Sequence, residues 1–373
     1  MRGFGRTQGG QASPVLLVAF VVTLASAGCG SVGPWTLVAS APDVNPAGAP
    51  LRGIACTSAD ECWAVGGSSI FHYYQAAWTT EGAQTDALAS VACPDPADCW
   101  AVASLGGDPL VLRDTDGHWG PDAAAASLDV DTSENGLSGI ACPSISECWA
   151  VGEAPYVPLI AGYRNGLWTR APNLIPPAGP GHQSFLSAVA CANTTDCWAV
   201  GAQGSGGLEV PLIAQDLSGV WSESASPSLP DSATAVLDAI TCSAPSECWA
   251  VGTTQEADGA TLPLIERLYQ GVWSVVQGAS IPAASGTDLS GVACVDADRC
   301  WAVGYEGAGP DAVQQLIEEY SGAKWSIVDG ASPGGAQASQ LHSVACAPGG
   351  ACWAVGSADS SDGSSLTLIE QTR

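Results

Sequence analysis

Cys62-Trp63-Ala64-Val65-Gly66 is a phrase that the chain repeats at Cys148–Gly152, Cys197–Gly201, Cys248–Gly252, Cys300–Gly304 and Cys352–Gly356, with Cys99-Trp100-Ala101-Val102-Ala103 as an altered seventh copy. Six positions before each of these cysteines stands another, closing an apolar segment such as Leu51-Arg52-Gly53-Ile54-Ala55-Cys56 or Leu289-Ser290-Gly291-Val292-Ala293-Cys294. The phrase tryptophans, Trp63, Trp100, Trp149, Trp198, Trp249, Trp301 and Trp353, are spaced by 37, 49, 49, 51, 52 and 52 residues. A period of about 20 to 50 residues marks a solenoid, a propeller or an array, because one unit cannot bury its apolar face alone.

A second tryptophan follows the phrase in six units, at Trp78, Trp119, Trp168, Trp221, Trp273 and Trp325, and the seventh reaches Arg373 without one. Its counterpart stands at the other end, where Gly33-Pro34-Trp35-Thr36-Leu37-Val38 reads like Gly271-Val272-Trp273-Ser274-Val275-Val276. All fourteen tryptophans then fall two to a unit. A ring whose first strand completes its last blade splits a unit in this way; a linear array gives no reason to. The sequence therefore predicts an all-β fold, a seven-bladed β-propeller with four strands per blade, closed by the N-terminal strand. At 373 residues, size alone suggests two domains. The repeat overrides that expectation and makes residues 33–373 one domain.

The third unit shows the pattern within a blade. Leu137–Cys142 reads as a first strand and Cys148–Gly152 as a second, joined by a polar turn. Pro158–Tyr163 reads as a third and Leu167–Arg170 as a fourth, with Asn165-Gly166 between them. Asn-Gly is a strong hairpin signal because both central residues of a type I′ turn need positive φ. Asp116-Gly117, Ser218-Gly219, Gln270-Gly271 and Ser321-Gly322 recur at the matching place. The first two strands are apolar on both faces, as strands buried between neighbouring blades should be. Every tryptophan is read as packing in the wedge between blades, and the small Cys, Ala and Gly residues as permitting close approach.

Fifteen cysteines divide into seven C-x5-C pairs and one left over, Cys29. C-x5-C across a hairpin turn puts both sulfurs on one face, which predicts disulfides Cys56–Cys62, Cys93–Cys99, Cys142–Cys148, Cys191–Cys197, Cys242–Cys248, Cys294–Cys300 and Cys346–Cys352. Zinc is the rival use, but its cysteine pairs are closer in sequence and no histidine accompanies these, so no metal is expected.

Arg2 and Arg6 precede an apolar run from Val15 to about Ala27, the make-up of a signal peptide and too short to span a bilayer. Ser26-Ala27-Gly28-Cys29 resembles a bacterial lipobox, although Ser26 stands where Leu is usual. The expectation is a lipoprotein signal peptide over 1–28, a lipidated Cys29, and a tether over 29–32. It accounts for the unpaired cysteine; ordinary cleaved export and a retained anchor are the alternatives. Net charge is −27, with 37 acidic against 10 basic side chains, so no basic stripe exists for nucleic acid.

If the completing strand is outermost, each blade runs from axis to rim. Disulfide turns and tight hairpins then share one face of the disc, and the opposite face collects Glu153–Val157, Gln203–Val210, Thr254–Leu262 and Glu306–Val313 within blades, and Pro172–Ser184, Ser226–Ala235 and Ala279–Asp288 between them. These read as longer, irregular loops, and loops that vary on a repeating scaffold are where binding resides.

The pattern (L)-x-x-(V/I)-A-C-x5-C-W-A-V-G followed by L-I-(E/A)-x4-G-x-W-S resembles the repeats of exported bacterial, actinobacterial-type WAVG propellers, over nearly all of Gly33–Arg373. More distantly it is similar to sialidase-like and photosystem-assembly-factor-like propellers. The resemblance implies architecture and export, and little chemistry.

A search for chemistry finds none. No sialidase box occurs, and Arg52, Arg113, Arg164, Arg170, Arg267, Arg299 and Arg373 read as occupying unlike blade positions. His72, His118, His182 and His342 form no metal motif and none reads as a repeated position. Gly330-Ala331-Ser332-Pro333-Gly334 matches G-x-S-x-G but lies in a loop rather than a strand-to-helix elbow. Asp129-Val130-Asp131-Thr132-Ser133-Glu134-Asn135-Gly136 spaces carboxylates as a calcium loop does, without the full ligand pattern. Glu61, Asp98, Glu147, Asp196 and Glu247 precede the second cysteine but give way to Arg299 and Ala351, so they read as turn residues.

The sequence reading is a monomeric cell-surface binding or assembly scaffold, exported and lipid-anchored to the outer face of the cytoplasmic membrane or secreted. It needs no catalysis and no cofactor, and its partner is an unknown protein or glycan. The rivals are a glycan-acting enzyme using carboxylates on the loop-rich face, and a purely structural envelope protein. An enzyme predicts carboxylates converging at the mouth of the axial channel, at least one with a perturbed pKa; a scaffold predicts an exposed apolar or aromatic patch among the loops.

Overall fold

A computed structural model describes residues 35–38, 50–82, 87–105, 107–115, 117–128, 136–175, 182–205, 207–229, 232–257, 259–279, 281, 286–307, 313–331, 333–334, 336–361 and 363–372, all within the compact unit Gly33–Arg373. The leader 1–28, Cys29, the tether 29–32, Asp129–Asn135 of the carboxylate run and Ser332 lie outside the described residues.

Seven four-stranded sheets form in chain order, each antiparallel from its first strand to its fourth. Blade one is built from Gly53–Ser58, Glu61–Gly66, Ser69–Tyr74 and Ala77–Gly82, and blade five from Ser232–Ala244, Glu247–Glu256, Thr261–Tyr269 and Val272–Val275. First strands of successive blades touch one another, and the first strand of the last blade, Ala336–Cys346, touches that of blade one, so the first strands line the axis and the ring closes. The fourth strand of blade seven is Thr36–Leu37, pairing Thr36 with Gln371 and Leu37 with Glu370. The described helical structure is a single 3-10 segment, Ala123–Leu128.

The core is a series of wedges between blades. In each second strand Trp and Val point to one face and Cys and Ala to the other, as the two-residue period requires. Trp63 and Val65 pack with Val91, Cys99 and Ala101 of the next blade, and Trp249 and Val251 with Val292, Cys300 and Ala302. The phrase Trp of one blade meets the fourth-strand Trp of the next edge-on, as in Trp63–Trp119, Trp149–Trp221, Trp198–Trp273 and Trp249–Trp325. Trp301–Trp35 at 5.3 Å and Trp353–Trp78 at 5.7 Å carry the same contact through the closure. Between blades two and three Tyr163 stands beside Trp100, as Tyr73 does beside Trp353 and Tyr320 beside Trp249, and Trp168 donates its indole N–H to Asp122 Oδ2 at 3.1 Å. Edge-to-face pairs of this kind add about 0.5–1.5 kcal/mol beyond area burial.

All seven C-x5-C pairs are joined as disulfides, with Cα atoms 4.0 to 4.2 Å apart. They place the fold in an oxidising, extracellular-type environment. The tight hairpins between third and fourth strands have positive φ at both central residues, as at Asn165 (54°) and Gly166 (80°). In blade six this turn falls on Gly322-Ala323 rather than Ser321-Gly322, and blade one manages it with Gln75-Ala76.

The intra-blade segments expected as irregular loops are mostly strand. Gln203 pairs with Val210 and Ser205 with Leu208, Thr254 pairs with Leu262, and Glu153 pairs with Pro158. The pairing continues outward because every extra pair satisfies two backbone groups. First strands also begin earlier than expected in blades four to seven, at His182, Ser232, Gly286 and Ala336. These extended hairpins stand along one arc of the loop-rich face.

Candidate functional site

Six of the seven first strands carry a β-bulge at the same place. Leu341 opposes Gly356 and Ser343 opposes Val355, leaving His342 as the extra residue. The equivalent shifts between Leu88 and Ser90, Leu137 and Gly139, Leu186 and Ala188, Leu237 and Ala239, and Leu289 and Gly291 leave out Ala89, Ser138, Ser187, Asp238 and Ser290. Arg52 occupies the matching place in blade one, its N–H bonded to Val65 O at 2.8 Å. In six blades the phrase glycine lets the first strand pass close beside it: a Cβ on Gly304 would lie 1.9 Å from Asp288 O, and one on Gly356 1.9 Å from Gln340 O, whereas blade two keeps the bulge with Ala103 in that place. Bulges re-aim side chains, and here the six bulge residues and Arg52 line one axial cavity of about 200 Å³.

The ring is not uniform. Ala89, Ser138, Ser187 and Ser290 are small, whereas Arg52, Asp238 and His342 are ionisable, on blades one, five and seven. The repeat acts as its own control: a serine or alanine satisfies the backbone at four positions, so the fold does not require a charge at the other three. None of the three has an ion-pair partner among the described residues. Asp288, two residues before the bulge of blade six, joins them on the loop-rich side. Its Oδ2 accepts from Thr253 Oγ1 of blade five at 2.7 Å, its Oδ1 accepts from Ser290 Oγ at 2.5 Å, and Tyr305 stands opposite it in register.

Burial, with the charge of Asp288 beside it, pushes the Asp238 carboxyl up to about 7. Burial and then the repulsion of Arg52 push His342 down to about 4, against the attraction of Asp288. Tyr305 is raised by burial and by the same two aspartates. Asp238 and His342 are half-buried by surface area, yet the surface they expose is the wall of a narrow cavity, so partial exposure does not restore bulk solvation. The cavity thus holds a cation on one side, the Asp238 carboxyl with the charge of Asp288 near it on the other, and hydroxyls between them.

The expected turn acids do more than turn the chain. Glu61 meets His72 at 3.5 Å, Asp98 meets Arg113 at 2.8 Å, Glu147 pairs with Arg164, and Glu247 meets Arg267 at 3.8 Å. The partner of each acid lies over the phrase Trp of its blade, His72 stacking on Trp63 at 3.7 Å and the guanidinium carbons of Arg113, Arg164 and Arg267 standing 4.6, 5.0 and 4.8 Å from Trp100, Trp149 and Trp249. Arg113, Arg267 and His72 all face the phrase Trp across the second and third strands, which corrects the reading of the arginines and histidines as unrelated in position. These sandwiches belong to the disulfide-bearing side and close the wedges there.

The sequence reading missed the axial ring. His342 does sit at a repeated position, and the signal was the column after the first-strand leucine, where Arg, Ala, Ser, Ser, Asp, Ser and His succeed one another. The loop-rich face also exposes Tyr156, Leu208, Val210 and Leu262 at its hairpin tips. Among the described residues no cluster of His, Cys, Asp or Glu is arranged to hold a metal. No helix among them is long and apolar enough to cross a membrane.

No protein-family model matches the sequence, and no curated protein does. Solved structures do match. YCF48 from Cyanidioschyzon merolae aligns with 91% of this chain and 98% of its own at 15% identity and a TM-score of 0.58. YCF48 bound to D1 peptide aligns over 92% and 99% at 13% identity and 0.56. A neuraminidase-like N11 protein of a bat influenza virus covers 92% of this chain and 94% of its own at 11% identity, with a TM-score of 0.48. At these identities the similarity is one of fold.

Proposed function

We propose that the protein is an exported, lipid-anchored, monomeric binding or assembly scaffold of the actinobacterial WAVG-repeat kind, and that it engages its partner at the loop-rich mouth of the axial channel. The observation that carries this reading is the restriction of Arg52, Asp238 and His342 to three of seven equivalent positions. Desolvating Asp238 and His342 costs stability unless something compensates, and a bound partner supplies the compensation, with Arg52 exposed beside them. Cys29 offers the anchor as the one cysteine outside the pairs. A peptide segment or glycan end entering the mouth would meet the hydroxyls of Ser138 and Ser187 and the charges around them, with Tyr156, Leu208 and Val210 available on the surrounding face. A propeller of similar fold is known with a peptide bound.

The test is binding to arrays of peptides and cell-envelope glycans by the native protein and by the R52Q/D238N double variant. Signals present for the native protein and absent for the variant support the axial reading; equal signals from both overturn it.

One observation favours a second reading, glycan cleavage. Asp238, held up to about 7 beside the hydrogen-bonded Asp288, has the make-up of a general acid next to a base. Release of reducing ends from a polysaccharide panel, lost in D238N, would establish it.

A further inference from the structure

Around the ring the order of first strands is the order of the blades, so Arg52 of blade one and Asp238 of blade five are three places apart by the shorter way. Three places is the greatest separation that a ring of seven allows. The cation and the carboxyl therefore stand on opposite walls, with Asp288 beside Asp238 and His342 between Asp288 and Arg52 in blade order. The intervening positions on the other arc are Ala89, Ser138 and Ser187, which add room and hydroxyls but no charge. A cavity of about 200 Å³ holds a molecule of roughly amino-acid or monosaccharide size.

We propose that the axial cavity takes a small zwitterion of amino-acid size, its anionic end on Arg52 and its cationic end at Asp238, with the charge of Asp288 behind it. This rests on the axial mouth being the binding site. An anion alone leaves Asp238 without use, a cation alone leaves Arg52 without use, and a neutral polyol needs neither. A guanidinium presents a fork of donors to a carboxylate, and a carboxylate accepts from the donors of an ammonium group. Asp288 already takes Thr253 Oγ1 and Ser290 Oγ, so the ammonium is directed to the carboxyl of Asp238, which has no hydrogen bond to a described side chain. An ammonium there favours the ionised carboxyl, so binding below neutrality releases a proton from Asp238.

The experiment is thermal unfolding and calorimetry of the whole exported protein with a panel of L-α-amino acids, then with the amide and the N-acetyl derivative of the best binder, and with a parallel panel of monosaccharides. A saturable rise in unfolding midpoint with a free amino acid is expected. Capping either end should weaken binding roughly tenfold or more, the loss that follows removal of a hydrogen bond to a charged group. R52Q should reproduce the loss caused by amidation, D238N the loss caused by acetylation, and R170Q at the rim neither. The heat of binding at pH 6.5 should vary with buffer ionisation enthalpy in the native protein and not in D238N. Capped derivatives that bind as well as the free amino acid overturn the proposal. A monosaccharide that binds in place of the amino acids and is lost in D238N overturns the zwitterion while keeping the axial site. Silence from both panels, with array signals unchanged by R52Q/D238N, overturns both.

Discussion

The Oε2 atom of Glu318, on the third strand of blade six, accepts the backbone N–H of Ala279, in the connection that leaves blade five, at 2.8 Å. Glu370 accepts from Ala331 at 2.9 Å one blade further on, and Glu266 takes Ser226 Oγ at 3.5 Å one blade back. All three carboxyls are fully buried, and each leaves its other oxygen without a hydrogen-bond partner among the described residues. A repeated acid thus ties blades five, six and seven each to the exit loop of the blade before it. Gly330-Ala331-Ser332-Pro333-Gly334, a formal nucleophile motif in sequence, contributes such a loop.

The clamp predicts that Glu318→Ala lowers stability by about 1–3 kcal/mol, since it orphans a buried N–H. Glu318→Gln keeps an acceptor for Ala279 and removes the ionisable group, so it should be neutral or stabilising at pH 7.5. Chemical denaturation of the two variants checks this; equal losses would show that the charge, and not the hydrogen bond, matters.

The pH dependence of stability follows from the same groups. Burial raises Glu266 to about 7 and Glu370 to about 6, and it raises Glu318 as well. A carboxyl raised on folding contributes stability that is full below its unfolded value, near 4.5, and is lost as pH rises through its folded one. His342, lowered to about 4, works the other way: its contribution is full above 6.5 and is lost as pH falls toward 4. Several carboxyls outweigh one imidazole, so the unfolding midpoint should rise by about 5 °C from pH 7.5 to pH 5. The double variant Glu266→Gln/Glu370→Gln should flatten the profile, and a midpoint that falls on acidification would contradict the assignment.

The closed ring makes the N-terminal strand part of the last blade. Trp35 is buried and edge-on to Trp301, so Trp35→Ala should cost about 3–5 kcal/mol, as large core truncations do. Thermal unfolding checks the loss, and hydrogen exchange should place the loosened amides in blades six and seven. A uniform loosening would point instead to a general packing defect.

Reduction should be felt throughout. Each disulfide closes a very short loop worth about 2 kcal/mol in the loop-entropy model. The denaturation midpoint should fall sharply with reductant, and the fourteen paired cysteines should take alkylating reagent only afterwards.

The ring was legible because its determinants are repeated and local: Trp63 and its six counterparts mark the wedges, C-x5-C marks the hairpin, and Trp35 marks the closure. The axial ring was not, because its signal is a departure from the repeat at Arg52, Asp238 and His342, and one extra residue in a strand is invisible to a two-residue period. The buried acids escaped for a related reason. Glu266, Glu318 and Glu370 sit in an ordinary alternating strand, and only the exit loop packed against them shows which face is inside. Asp288 was beyond reach from sequence, since Thr253 comes to it from another blade.

The central claim is that recognition occurs at the axis and not on the surrounding hairpin tips. The most direct measurement is the affinity of the array-selected ligand for the native protein, for Asp238→Asn and for Tyr156→Ala. A loss of about tenfold or more in Asp238→Asn with little change in Tyr156→Ala is predicted. Unchanged affinity in Asp238→Asn with loss in Tyr156→Ala would move the site to the outer hairpins and contradict the account.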